Sequence, residues 1–319
     1  MIQMPQADML NIFYNVSPRL NEYLSRIEDL RKQILLSPVT SDKELELKWE
    51  AIFNRIHYSL KLAGNSMKKT DMLKLLSEVT HEKMTEDQRT VLKYKEALDY
   101  ISRNWRGSPN TVTAEAIIEL HKIIASGRLR VPQAGLQYLL DYLQSKTENP
   151  IIQAAIINIE MEKMQLFTEQ NSLISHLTAD VFLHKYGYDF KDFLAYEAAW
   201  MEDEKTFKEN HERALSATSL TLWLEYFAES ILKQLESIIQ SIKTPKSGPD
   251  VKKSIWQLNE RQKSILSFLD QPQATITNRQ VQKRHKTSQI TASRDLAKLA
   301  NLGLLLSHGK GRSVYYTKI

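Results

Sequence analysis

The 319-residue sequence contains no cysteine, and only 9 glycines and 9 prolines. Disulfides and thiolate-held metals are therefore excluded, and the composition suits a reducing compartment, so a cytoplasmic location is expected. Scarce glycine and proline alongside abundant aliphatic residues favour helices over sheets. Also missing is any apolar run near the roughly 18 residues that would cross a bilayer, or a basic N-terminal start leading into one. These absences point to a soluble, mainly α protein with no membrane partner, long enough for one large domain and a small one. No internal repeat or low-complexity segment is present.

The net charge of +5 is unevenly spread. Residues 251–319 hold 13 Lys/Arg and 3 Asp/Glu, a balance of +10; the rest hold 30 and 35, a balance of −5. A basic tail on a slightly acidic body suits a polyanion-binding appendage.

Helical spacing runs through most of the chain. In residues 17–36, Leu20, Leu24, Ile27, Leu30 and Ile34 recur at three- and four-residue intervals, with Ser17 and Pro18 placed as N-cap and first helical residue. This predicts an N-terminal helical extension over 1–40. A helical body follows over 41–243, then the Pro- and Gly-containing linker 244–250, and a basic module over 251–319. Within the body, helices are predicted over 68–78, 85–101, 112–125, 132–144, 150–164, 177–186 and 219–242. Residues 189–214, mixed in charge and aromatics, read as solvated faces with some packing.

Near the middle stands Gln165-Leu166-Phe167-Thr168-Glu169-Gln170-Asn171-Ser172-Leu173-Ile174-Ser175-His176. It resembles the signature loop of the Fic (Fido) family, His-Pro-Phe-x-Asp/Glu-Gly-Asn-Gly/Ala-Arg-x-x-Arg, whose enzymes transfer the AMP of ATP to a protein hydroxyl. Phe167, Glu169 and Asn171 match; Gln165, Leu166, Gln170, Ser172, Leu173 and His176 depart. The resemblance spans about residues 40–245 and implies a Fic-like helical bundle.

A second resemblance is to the family's inhibitory motif, Ser/Thr-x-x-x-Glu-Gly/Asn, met here by Ser59, Ala63, Gly64 and Asn65, with Ala63 where the glutamate belongs. Taken alone, those residues read better as a helix ending on a glycine turn. Where the family carries a hairpin flap that clamps its target, only Ser126–Arg130 stands before Val131-Pro132, too short for two strands and a turn. His121 lies on a helix whose Ile117, Leu120 and Ile124 face the core, so a packing histidine is favoured over a catalytic base.

The departures bear on chemistry. The resemblance makes residue 165 the general base, and Gln165 cannot accept a proton, a loss worth about 10²–10⁴ in rate. Gln170 and Ser172 replace glycines whose backbone N–H groups would cradle phosphate. Leu173 and His176 replace two arginines that would hold it. Glu169 stands where the family holds Mg²⁺, but a lone carboxylate reads better as structural, for instance capping the next helical turn. No cofactor is expected, ATP and Mg²⁺ entering only if the alternative holds, an adenylyltransferase or ATP sensor with an atypical site.

The tail module reads as three helices, 258–269, 278–284 and 289–301, with Asn259, Thr277 and Ser288 as caps, followed by a strand, a glycine-rich turn and a strand. This order, and the stretch from Ser288 to Gly303, resemble bacterial winged helix-turn-helix regulators. Ala292, Leu296 and Leu299 would face its core. Gln289, Thr291, Ser293, Arg294 and Lys298 would face a major groove, with Arg284, Lys286, Lys310 and Arg312 on phosphates. The expected architecture is mainly α, a Fic-like bundle with a small α+β winged-helix end. The expected function is catalytically silent DNA binding in transcription regulation, with double-stranded DNA as partner and a homodimer possible.

Overall fold

The computed structural model describes residues 12–77, 83–130, 133–145, 148–189, 191–243, 257–271, 273–309 and 311–318. The expected linker 244–250 and Lys310 lie outside these residues, as does the side chain of Arg312. The architecture is mainly helical, with one small antiparallel sheet near the C-terminus.

Helix α1 (Pro18–Leu36) begins where its cap chemistry dictates: the Ser17 hydroxyl accepts the Leu20 N–H, and Pro18 occupies the first turn. Helix α2 (Ser41–Leu62) starts on Thr40 in the same way. It ends at Gly64 with φ +86°, the Asn65 N–H donating to the Leu60 carbonyl at 2.8 Å. That left-handed exit is a glycine C-terminal motif.

Helices α3 (Lys69–Ser77), α4 (Glu86–Trp105), α5 (Ala114–Ile124) and α6 (Gln133–Ser145) follow, α4 opened by a reciprocal Thr85–Gln88 capping box. At the centre lie α7 (Pro150–Met164) and α8 (Asn171–Lys185), packed along each other. Residues 151–162 and 173–184 are buried without exception. Apolar side chains on every face of these helices, rather than one stripe, demand burial on all sides.

Around this pair pack α9 (Tyr196–Glu202), α10 (Glu204–Ser216) and α11 (Thr221–Lys243). The indole N–H of Trp223 donates to the Ala155 carbonyl at 2.9 Å, fastening α11 to α7. Against α11 lies α1, tied by the Ser17 hydroxyl donating to Glu225 at 2.6 Å.

Two boundaries differ from expectation. Helix α8 begins at Asn171 rather than Leu177, so residues 171–176 are helix and the true loop is 165–170. Residues 191–200, with Asp189 before them, are largely buried rather than solvated: Asp189, Phe193, Leu194, Tyr196, Glu197 and Trp200 are all buried. Mixed charge misled there because the charges pair inside the fold.

The C-terminal part comprises α12 (Glu260–Phe268), α13 (Asn278–His285), α14 (Gln289–Asn301), β1 (Leu305–His308) and β2 (Tyr315–Lys318). Asn259, Thr277 and Ser288 cap the three helices through their side chains. In the sheet, Leu305 opposes Lys318 and His308 opposes Tyr315, and Ile276 adds a single bridge to Tyr316. Ile265, Leu269, Val281, Ala292, Leu296 and Leu299 form its own core, while Leu302 packs into the core of the body. Among the described residues, no helix is long and apolar enough to cross a membrane.

Candidate functional site

The loop 165–170 is held by its own side chains and by one neighbouring segment. Gln165 ends α7 with φ +45°, its amide donating to the Glu162 carbonyl at 2.7 Å. Asn171 accepts the Phe167 N–H at 2.9 Å and donates to the Phe167 carbonyl at 2.8 Å, clamping the turn from inside. Leu166 and Phe167 are buried. The Phe167 ring stacks on His121 at 3.8 Å between centroids, and the His121 Nε2 meets the Glu169 carbonyl at 3.2 Å. His121 is thus a buried packing residue, and burial pulls its pKa below the ordinary value.

Gln170 has φ +60° at the start of α8 and makes no side-chain cap. A non-glycine residue in this left-handed region is strained by about 1–2 kcal/mol. The backbone here therefore has a shape that glycine adopts more readily than glutamine. Glu169 does not take the capping role expected of it; its exposed side chain instead lies over Gly127, where an added Cβ would come within 2.6 Å of it.

Residues 128–130 run antiparallel to 166–168. The Arg130 N–H donates to the Leu166 carbonyl at 2.7 Å, and the Thr168 N–H to the Arg128 carbonyl at 2.9 Å. A single bridge is all this segment forms among the described residues, and it uses backbone groups of the loop itself.

Leu173 is buried in apolar surroundings. His176 is buried edge-on against Trp200, at 5.4 Å between centroids, and burial pulls its pKa to about 4 despite Glu162. At neutral pH the imidazole is uncharged. Neither position supplies a cation, and Gln165 supplies no base. The exposed part of the loop, Gln165, Thr168 and Glu169, with half-buried Gln170, Asn171 and Ser172, presents amides, hydroxyls and one carboxylate.

Between α2, α8 and α9 lies a buried ionic network that sequence reasoning missed. Arg55 pairs with Asp180 and, at 2.9 Å, with Asp189, all three almost wholly buried. Beside them Glu197 accepts the Ser59 hydroxyl at 3.2 Å. Burial, partly offset by Arg55, pushes Glu197 up to about 8, so it carries a proton at neutral pH. His184 contacts Asp192 at 3.1 Å, and Asp192 also takes Lys48 at 2.8 Å and Arg106 at 2.6 Å. Burial would raise Asp192, but the His184 hydrogen bond and these cations outweigh it and hold it well below the carboxylate range. The available signal was register: Arg55 sits on the face of Ile52, Ile56 and Ser59, and Asp180 interrupts Ala179–Val181.

In the C-terminal part, α14 buries Ala292, Asp295, Leu296 and Leu299 and exposes Gln289, Ile290, Ser293 and Arg294. Asn278 donates to the Gln289 carbonyl at 3.2 Å and the Ser293 hydroxyl at 2.7 Å, fixing α13 against α14. Arg284 and Lys286 are exposed at the end of α13, the Arg284 guanidinium lying 4.4 Å from the Phe268 ring centroid. Thr291 is half-buried. The Lys298 amine donates to the Gln257 carbonyl at 2.9 Å, away from the exposed face. Ile290, 65% exposed, was missed because an isoleucine in a helix reads as core.

No family model matches the sequence, and no curated protein does. Solved structures are similar. A Fic family protein from Desulfovibrio desulfuricans G20 aligns at 12% identity over 97% of this chain and 98% of its own, with a TM-score of 0.62. Fic-1 from C. elegans aligns at 17% identity over 72% and 75%, with a TM-score of 0.58. A Fic domain containing signaling protein from Bacteroides thetaiotaomicron VPI-5482 aligns at 16% identity over 73% and 99%, with a TM-score of 0.52. At these identities the likeness is one of architecture, and the chain has the Fic fold.

Proposed function

We propose that this protein is a catalytically silent Fic-fold body carrying a winged helix-turn-helix that binds double-stranded DNA, acting in transcription regulation or as a DNA-tethered scaffold. The observation that carries the reading is the exposed face of α14, where Gln289, Ser293 and Arg294 stand free of the module's core beside Arg284 and Lys286. Polar and forked side chains on the exposed face of one helix suit base edges, and the flanking cations suit phosphates. Lys298 is left out of this interface because its amine is committed to Gln257.

Silence in the body follows from the loop. AMP transfer requires a base, donors on the α-phosphate and cations on the others. Gln165, the uncharged His176 and buried Leu173 supply none of these. The second reading, an adenylyltransferase or ATP sensor with an atypical site, draws on exposed Glu169 and on Asn171, which keeps the loop's shape.

The test of DNA binding is fluorescence anisotropy of a labelled mixed-sequence duplex titrated with the full chain across a salt series. The reading is supported by binding that weakens linearly in log salt, with a slope shallower by about 0.9 in Arg284→Ala, which removes one cation from the phosphates. Affinity unchanged in a variant carrying both Arg284→Ala and Arg294→Ala would refute this interface.

A further inference from the structure

Between the body and the C-terminal module lies a cleft of about 780 Å³, within the size range of small-molecule sites. One wall is the end of α4, with Arg103 and Arg106, together with Lys48 of α2; the other is Gly303 at the end of α14 and Leu305 and Leu306 of β1. We infer that this cleft binds a small polyanion, gripped from the body side by Lys48, Arg103 and Arg106.

The argument is one of charge balance. Asp99, the carboxylate on the cleft wall, is taken by Lys95 at 2.6 Å. Asp192, buried and not on the cleft wall, is shared among Lys48, Arg106 and His184. One carboxylate cannot neutralise two permanent cations, and the imidazole is faced by a second carboxylate, Asp189, at 3.7 Å. Arg103 adds a third permanent cation; its Nε donates to the Asp99 carbonyl at 3.0 Å, and its side chain is exposed.

An opposing effect must be weighed. The C-termini of α4 and α14 both point into this region, each worth about half a negative charge and falling off within a turn. Together they offset about one cation. With Lys48, Arg103 and Arg106 set against Asp192 and these two helix ends, about one positive charge remains, His184 being matched by Asp189.

A monoanion would be held by only part of this set, whereas a ligand with two or more separated charges engages both arginines. Arginine forks suit phosphate and carboxylate oxygens alike. The shared chemistry is thus a polyanion, and phosphate and carboxylate sources are separated by experiment. None of these residues lies on the exposed face of α14, so the inference stands independently of the DNA reading.

The test is isothermal titration calorimetry of the full chain at low ionic strength with sodium pyrophosphate, with citrate and with acetate. Saturable binding of pyrophosphate or citrate, but not acetate, is expected, and the stronger of the two identifies the source. Arg103→Gln is the informative variant because its side chain is exposed; it should weaken binding about tenfold, the scale of one charge-assisted hydrogen bond. Its melting temperature, measured in parallel without ligand, should match that of the parent. Arg106→Gln should weaken binding as well. Absence of saturable binding by both polyanions at millimolar concentration, or affinities unchanged in both variants, would overturn the inference.

Discussion

Replacing Glu197 by glutamine probes the buried ionic network between α2, α8 and α9. Glu197 is fully buried and shares its surroundings with Asp180 and Arg55. Burial pushes its pKa up to about 8 from an ordinary 4.5, with Arg55 opposing and Asp180 reinforcing. In the unfolded chain the proton leaves near 4.5; in the fold it stays until about 8. The stabilising contribution of the protonated group is therefore complete below about 4.5, declines across the interval and is lost above about 8. Each pH unit is worth about 1.4 kcal/mol, giving a ceiling on the order of 5 kcal/mol. Because Asp180, also raised by burial, competes for the same proton, an effect of a few kcal/mol is expected. Glu197→Gln keeps the shape and the acceptor for Ser59 but holds no charge. Urea midpoints for both proteins at pH 5, 6.5 and 8.5 should show near-equality at pH 5 and a growing advantage for the variant toward pH 8.5. A difference independent of pH would refute a buried, protonated Glu197.

Three further outcomes follow from the same geometry. Arg55→Met leaves Asp180 and Asp189 facing each other in the core and should lower unfolding free energy by about 3–5 kcal/mol in urea titrations. Gln170→Gly relieves the left-handed strain at φ +60° against a larger unfolded-state entropy; a net gain of about 0.5–1 kcal/mol is expected, and a loss would show that the side chain contributes contacts. Gln165→His restores a candidate base but no phosphate-holding cation, since Leu173 and His176 are unchanged, so labelled-ATP transfer should remain at background.

Much of the fold was legible because local chemistry marks its own boundaries. Thr85, Asn259, Thr277 and Ser288 cap the helices predicted to start there, and Gly64 adopts the left-handed turn expected at a helix end. The brevity of 126–130 ruled out a hairpin there; the bridge of Leu129 to Phe167 was not foreseen. Less legible was everything decided by long-range pairing. Residues 171–176 looked like loop because a signature motif drew the eye, yet the Asn171 clamp lets α8 begin at once. The network of Arg55, Asp180, Asp189 and Glu197 joins distant parts of the chain, Arg55 and Asp189 being 134 positions apart, and no local pattern links them. Lys298 read as a groove-facing cation because its carbonyl partner, Gln257, lies on a different element.

Transfer of label from ATP tests most directly whether the body is silent. The full chain, incubated with Mg²⁺, α-labelled ATP and lysate proteins, is compared with a Glu169→Ala variant. Equal, background-level incorporation into itself and into lysate proteins is the expected result. Incorporation by the parent protein above that of the Glu169→Ala variant would contradict it and place catalysis back in the loop.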